Sequence, residues 1–341
     1  MSELMQKSLR QIQAGETLSG DEAESVFHAI MQGEATPAQI GALLMGLSIR
    51  GETPDIVAGA ARAMRAEATQ IHPTSKELLD TCGTGGDGAS TFNISTAVAI
   101  VVAACGQKVA KHGNRAISSK SGSADVLEAL GVKLDIPPQR VADCIDEVGI
   151  GFMFAPGHHP AMKHAAVPRR ELGMRSIFNL LGPLTNPANA DYQVLGVYSA
   201  DKLELMAGAL QRLGVKRALV VHGRDGLDEI TTTGITDAIW VEEGCILRQF
   251  EISPTAFGIP IAEPEQLSGG DAGHNAGILR RVFSGERGPA RDIVMLNAAT
   301  ALWICGKVES IPLGMIMTAA TLDGGKAEKT LQALINFTQT A

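Results

Sequence analysis

Glu77-Leu-Leu-Asp80-Thr-Cys-Gly83-Thr-Gly85-Gly86-Asp87-Gly88 continues through Thr91-Phe-Asn93-Ile-Ser95-Thr96 and an apolar stretch to Lys108-Val-Ala-Lys111-His112-Gly113. Residues 78–82 form a short β-type run, 95–105 a helical one and 108–110 a second β-type run. The rhythm carries on outward, with β-type runs at 132–135, 151–154, 194–198 and 218–222 and helical segments at 124–130 and 201–213. Alternating elements of this kind predict an α/β domain with a mostly parallel central sheet covered by helices.

Upstream the pattern is purely helical. Ser19-x-x-Glu22 is a capping box, and Thr36-Pro37-x-Gln39 repeats the device with proline at the first helical position. Thr53-Pro54 opens a third helix. The helix after Thr36 is apolar on most sides (Ile40, Leu43, Leu44, Leu47), more than a solvated helix needs. Its surplus face either packs on the rest of the chain or joins a second copy. The stretch 165–190, rich in Pro, Arg, Leu and Asn, breaks the β–α rhythm and is expected to fold back on these helices. The expected division is therefore a helical domain at 1–72 and an α/β domain made of 73–164 and 191–341.

Composition narrows the function. The chain has 341 residues, 45% apolar and 19% charged, as ordinary globular proteins have. Aromatics are only 4%, too few for a base-stacking surface. The net charge is −8 with no basic run, which argues against nucleic-acid and anionic-membrane partners. A phosphorylated substrate must then be held by local groups or through a metal. Five scattered cysteines without a C-x-x-C pair read as reduced thiols. Residues 1–10 lack a secretory h-region, and the apolar run 96–105 is far shorter than the roughly 18 residues a membrane span needs. A cytoplasmic location is expected.

Three loops carry the chemistry, each following an expected strand. In the first, four glycines within residues 83–88 let the backbone approach a ligand, and the helix beginning near Ser95 adds an N-terminal anion site. The hydroxyls of Thr91, Ser95 and Thr96 add donors, and a serine oxygen can ligate Mg²⁺. The plainer reading is a glycine-rich turn with a Ser/Thr cap; the conjunction of glycines and hydroxyls favours phosphate. The second loop, Lys111-His-Gly-Asn-Arg115-Ala-Ile-Ser-Ser119 and then Ser121-Gly-Ser123, offers cations and hydroxyls suited to a phosphate monoester. The third, His222-Gly-Arg-Asp225-Gly-Leu-Asp228-Glu229, ends in adjacent carboxylates, which are hard ligands for Mg²⁺. Alone, such a pair is common on surfaces. Together the three loops are complementary to a sugar pyrophosphate with its metal, because ligands of open parallel sheets bind beyond the strands' C-terminal ends.

Gly83-x-Gly85-x-x-Gly88 also fits the dinucleotide fingerprint, but that fingerprint wants an acidic residue about twenty positions on, where Lys111-His112 stands here. Asp87 inside the loop would repel a bare pyrophosphate unless a cation intervened. His158, His159 and His164 lack the acidic partner of a zinc motif and read as structural or substrate-lining.

These stretches resemble the anthranilate phosphoribosyltransferase family: Gly83-Thr-Gly-Gly-Asp87, Asn93-Ile-Ser-Thr96, Lys111 to Ser119, Gly122-Ser-Ala-Asp125, His159-Pro-Ala-Met-Lys-His164, Arg169-Arg-Glu-Leu-Gly173, Phe178-Asn-Leu-Leu-Gly-Pro-Leu-Thr-Asn-Pro187 and Asp228-Glu229. The resemblance implies a pyrimidine nucleoside phosphorylase-like fold, a small helical domain beside a larger α/β domain, and a homodimer joined through the helical part. It implies that Gly83, Gly86, Asp87, Thr91, Asn93, Ile94, Ser95, Thr96, Lys111, His112, Gly113, Asn114, Arg115, Ala116, Ile117, Ser118, Ser119 and Ser123 contact phosphoribosyl pyrophosphate. Ser95, Asp228 and Glu229 would bind Mg²⁺, and Gly83, Asn114 and Arg169 would contact anthranilate. His112 is the candidate general base. The rival readings are a pyrimidine nucleoside phosphorylase, which uses free phosphate, and a non-catalytic nucleic-acid-binding relative; Asp228-Glu229 and the long Lys111 to Ser119 match argue against the first, and the acidic net charge with the same pair against the second.

Overall fold

The computed structural model describes residues 2–116 and 120–340. Four helices come first: α1 (Ser2–Gln13), α2 (Gly20–Met31), α3 (Pro37–Arg50) and α4 (Pro54–Ala66). Both capping boxes close. Ser19 Oγ accepts the Glu22 N–H at 3.3 Å while the Glu22 carboxylate accepts the Ser19 N–H at 3.0 Å, and Thr36 and Gln39 do the same. Each box satisfies N–H groups that the first helical turn leaves unpaired. Helix α1 has no counterpart in the sequence reading above.

The sheet has seven strands in the order β3-β2-β1-β4-β5-β6-β7: β1 (Leu79–Asp80), β2 (Val109–Gly113), β3 (Ile150–Phe154), β4 (Tyr192–Gly196), β5 (Arg217–Gly223), β6 (Thr236–Glu242) and β7 (Cys245–Ile252). Strands β1 to β5 are parallel, while β6 pairs antiparallel with both β5 and β7. The chain starts at β1, adds β2 and β3 on one side, then returns to add β4 on the other. The switch point therefore lies between the C-terminal ends of β1 and β4, where open sheets of this kind leave a crevice.

Two expectations need correction. Residues 132–135 form no strand: α6 (Ser123–Leu130) ends at left-handed Gly131, the Val132 N–H bonds back to Leu127 O at 2.9 Å, and the Lys133 N–H goes to Thr338 Oγ1 at 3.2 Å. That closure uses the backbone donors a ladder would need, although Val132 and Leu134 are buried. The β6–β7 hairpin was missed. Its turn, Glu243-Gly244, has φ of 47° and 73°, the left-handed pair that suits a two-residue hairpin loop.

Helix α5 (Ile94–Ala104) is apolar all round and lies within the main core, with α6 and the helices Ala272–Phe283 and Pro289–Ile304 on the same face of the sheet. On the other face a second apolar cluster is continuous from the N-terminal helices (Phe27, Leu43, Val57) through Ala165, Ile177, Phe178 and Leu181 to Leu195 of β4 and Val220 of β5. The Phe27 and Phe178 rings meet edge-on at 5.7 Å. Ile40, Leu43, Leu44 and Leu47 of α3 are all buried in this cluster, while Met45 and Ile49 on the same helix stay exposed. α7 (Pro138–Val148) covers β2 and β3 through Val141 and Ile145 against Ala110 and Met153. Among the described residues no helix is long and apolar enough to cross a membrane.

Candidate active site

The glycine loop leaves β1 at the switch point and is pinned there. Thr84 N–H donates to Gly196 O at 2.9 Å, Tyr198 N–H donates to Thr84 Oγ1 at 3.1 Å, and Gly85 N–H donates to Asp228 Oδ2 at 2.7 Å. The last bond brings the first and third loops together across 143 positions. Gly85, Gly86 and Gly88 all take positive φ, 63°, 78° and 77°, which a side chain would strain. A side chain on Gly83 would be crowded: its Cβ would stand 3.0 Å from both the Asp228 carboxylate Oδ2 and the Gly196 carbonyl oxygen.

Lys111 joins the second loop to the first. Its ammonium is only 2% exposed and donates to Thr81 Oγ1 at 3.1 Å, with Thr81 O and Ser95 Oγ each 3.4 Å away. No carboxylate stands at ion-pair distance from it among the described residues, a costly arrangement unless a ligand supplies the anion. The start of α5 has no side-chain cap at Asn93. Asn93 instead donates to Ser121 O at 3.1 Å and accepts from buried Asn275 at 2.9 Å, tying the two substrate loops to the helix Ala272–Phe283. The helix's positive end is thus left for an anion.

Asp228 and Glu229 are half-buried beside Asp87. Burial first, then the Asp87 charge, holds the Asp228 carboxyl well above the usual carboxylate range; burial and then Asp228 do the same to Glu229. Glu229 accepts the Ser95 N–H, which works in the opposite direction. Burial and mutual repulsion outweigh the attraction of Lys111, and a cation would relieve such a donor set. Among the described residues no group of three His, Cys, Asp or Glu side chains is close enough to hold an ion by itself. Mg²⁺ does not need one, since it takes one or two carboxylates and completes its shell with water and substrate oxygens. The residues fit.

Not every expected contact is free to act as read. Thr96 is 1% exposed with an unpartnered hydroxyl, and Ile94 is buried in the core with its N–H given to Phe92 O at 2.7 Å, so of these two the Thr96 backbone N–H is what remains to offer. Arg115 gives its guanidinium to Asp125 and Glu128 instead of leaving it open. The Asp125 carboxylate also accepts the N–H groups of Ala116 and Gly122 at 2.9 Å each, and so ties these two residues to the start of α6. A Cβ on Gly122 would fall 2.4 Å from Ala116 N, so the backbones of Gly122 and Ala116 lie close together. Asn114 is exposed, and Ile117, Ser118 and Ser119 lie outside the described residues.

On the opposite face of β2 from Lys111, His112 turns toward the connecting segment, its Nδ1 3.1 Å from Gly182 O and its Nε2 without a partner. Burial pushes its pKa down to about 3, helped by nearby His159, which burial itself lowers to about 4. The His112 imidazole is therefore neutral, and Nδ1 carries the proton it gives to Gly182. Arg169 is half-buried, 5.0 Å over the Phe178 ring, with its pKa lowered by burial, whereas Arg170 is exposed. Of the two, Arg169 is the inward-facing guanidinium. Further residues escaped the sequence reading. Asp80, fully buried and pushed up to about 6 by burial, accepts from Asn186 Nδ2 at 2.7 Å and locks the connecting segment to β1. Asn297 brackets the backbone of Ile230, next to the acidic pair, with bonds of 3.0 and 2.7 Å.

Residues 75–328 match the α/β domain of the glycosyl transferase family, and residues 6–68 match its helical bundle domain. The anthranilate phosphoribosyltransferase of Acetivibrio thermocellus is 52% identical over 335 residues, 98% of this chain and 97% of that protein. The crystal structure of the Thermus thermophilus anthranilate phosphoribosyltransferase superposes with a TM-score of 0.92 at 46% identity, covering 97% of this chain and 99% of that one. The Saccharomyces cerevisiae enzyme, in complex with PRPP and Mg, gives a TM-score of 0.91 at 26% identity over 99% of this chain and 98% of that one. With the glycine loop at the switch point, the unpaired ammonium and the acidic doublet all at one rim, these likenesses leave one assignment: the chain belongs to the anthranilate phosphoribosyltransferase family.

Proposed function

We propose that this protein transfers the phosphoribosyl group of phosphoribosyl pyrophosphate (PRPP) to the amine of anthranilate, giving N-(5-phosphoribosyl)anthranilate and pyrophosphate in tryptophan biosynthesis. One observation carries the reading: Asp228 bonds to Gly85 N–H, which places the carboxylate doublet against the glycine loop. A pyrophosphate held by that loop would reach a metal held by the doublet. Bound Mg²⁺, held by Asp228, Glu229 and Ser95, would neutralise charge on the departing pyrophosphate.

The chain's own groups supply the rest. The glycine-loop N–H groups and the Thr96 N–H at the start of α5 donate to phosphate oxygens, and Lys111 places its charge between the first and second loops. The second loop binds the phosphate monoester. Arg169 and Asn114 orient anthranilate, Arg169 through a guanidinium that burial has stripped of water and made a stronger partner for a carboxylate. The amine, held in line, attacks the anomeric carbon as pyrophosphate leaves. The adduct is an anilinium-like cation and a strong acid, so even the weakly basic His112 Nε2 could accept its proton.

Mixing the protein with PRPP and anthranilate and following anthranilate fluorescence tests the function. Signal is lost only when Mg²⁺ is present; absence of Mg²⁺-dependent loss overturns the reading, and turnover of uridine with free phosphate would favour the phosphorylase. Arg169→Ala raises the anthranilate KM by about tenfold to a hundredfold, as loss of a charge-assisted hydrogen bond does, and leaves the PRPP KM nearly unchanged. Equal changes in both constants would remove Arg169 from the acceptor site. We also place the protein in the cytoplasm as a homodimer joined through its helical domain. Exposed Met45 and Ile49 on α3 support that contact, and Ile49→Asp should yield monomers in sedimentation.

A further inference from the structure

The Gly86 carbonyl is bonded by a residue 89 positions further on. Arg175 lies in the link between the helix Lys163–Leu172 and the short helix Phe178–Leu181, and donates Nη2–H to Gly86 O at 2.5 Å. Its guanidinium lies 4.2 Å over the Tyr198 ring, which fixes the plane of the donor. Tyr198 also bonds to the loop through Thr84. Arg175 and Tyr198 thus grip the glycine loop at two places, Gly86 and Thr84.

This grip matters because the loop is pinned at Thr84 and Gly85 but has little else to hold it from Gly86 to Gly88. Gly85, Gly86 and Gly88 carry no side chains and sit in left-handed conformations that glycine also leaves readily. A trans peptide is planar, with C=O and N–H pointing to opposite sides. Bonding Gly86 O to Arg175 therefore turns the Asp87 N–H away from the connecting segment and stops that peptide from flipping. We propose that Arg175 is a positioning residue for pyrophosphate: it acts through the Gly86–Asp87 peptide and anchors the donor loop to the segment that carries Arg169. The proposal rests on the assignment of PRPP to this loop.

Kinetics on the full-length Arg175→Ala and Arg175→Lys proteins test it. Arg175→Ala should raise the PRPP KM about tenfold, the size of one charge-assisted hydrogen bond, with the anthranilate KM within about twofold of wild type. The side chain is exposed, so the melting temperature should stay at the wild-type value. Arg175→Lys should recover part of the loss, because an ammonium can still donate to the carbonyl although it stacks less well. An unchanged PRPP KM, equal rises in both KM values with a lowered melting temperature, or no recovery with lysine would each overturn the role. Calorimetric titration with Mg²⁺-pyrophosphate separates the two claims. Weaker binding by Arg175→Ala would uphold the loop role even if the wild type failed to transfer to anthranilate, and equal binding would end it.

Discussion

Changing Asp228→Asn together with Glu229→Gln lowers kcat/KM by about 10³-fold or more, an increase of about 4 kcal/mol in the barrier. The same protein melts no lower than the wild type, and higher at alkaline pH. Both results come from one cause. The two carboxylates and Asp87 sit together in a partly buried place where burial and mutual repulsion raise the pKa of each member of the doublet. An acid whose pKa is raised on folding binds its proton more tightly in the folded state. Its contribution to stability is full below the unfolded value near 4 and is lost as pH rises through the folded one. The wild type without metal therefore loses stability between about pH 4 and pH 7 and above through this pair, and amides remove that slope. Calorimetric melting from pH 5 to pH 8 in EDTA should show the variant's advantage widening with pH. Adding Mg²⁺ with pyrophosphate should raise the wild-type melting temperature and leave the variant's unmoved. A doublet that kept its activity as amides, or a variant still stabilised by Mg²⁺, would remove these residues from the metal site.

The pair was legible in the sequence as a weak signal, two acids after a strand, and the glycine loop as a stronger one. Both lie in short segments whose composition is unusual by itself. Ser19-x-x-Glu22 and Thr36-Pro37 were legible for the same reason, because a helix cap is a contact between residues three apart. Val132 misled because its apolar, β-branched side chain reports burial, while its backbone donor is taken by the end of α6. The β6–β7 hairpin left a readable trace in Glu243-Gly244 between two alternating runs. Arg175, Asn186 and Asn297 left none. Each acts on a backbone or carboxylate 67 to 106 positions away, and single polar residues in a connection or a helix do not announce such partners. The loops that hold the ligand could be found locally, whereas the residues that hold the loops are set by topology.

Gly196→Ala is the sharpest consequence of that topology. Gly196 closes β4 beneath the third loop and accepts the Thr84 N–H at 2.9 Å. A methyl group there would fall 1.6 Å from the Asp228 carbonyl oxygen and 2.4 Å from its carbonyl carbon. Those are backbone atoms, with no flexible end that could swing aside. Either the end of β4 bends or the Asp228 segment lifts, and both break the geometry in which Gly85 N–H meets Asp228. Overpacking of this kind costs about 1–3 kcal/mol of stability, and misplacing the metal pair should cost about 10²-fold or more in kcat/KM. The larger share of the damage belongs to activity, since the strain falls on the Asp228 backbone that carries the metal pair. Gly277→Ala is the matching control. It lies within the helix Ala272–Phe283, where a Cβ would meet only Arg281 Nη1 at an ordinary 3.8 Å, so the change should stabilise by about 0.5–1 kcal/mol and leave turnover alone. Melting curves and Mg²⁺ titrations of both variants decide the matter. Wild-type turnover in Gly196→Ala would mean that Asp228 can leave β4 without consequence, and the close seating of the acidic pair on the glycine loop would then have no part in the transfer.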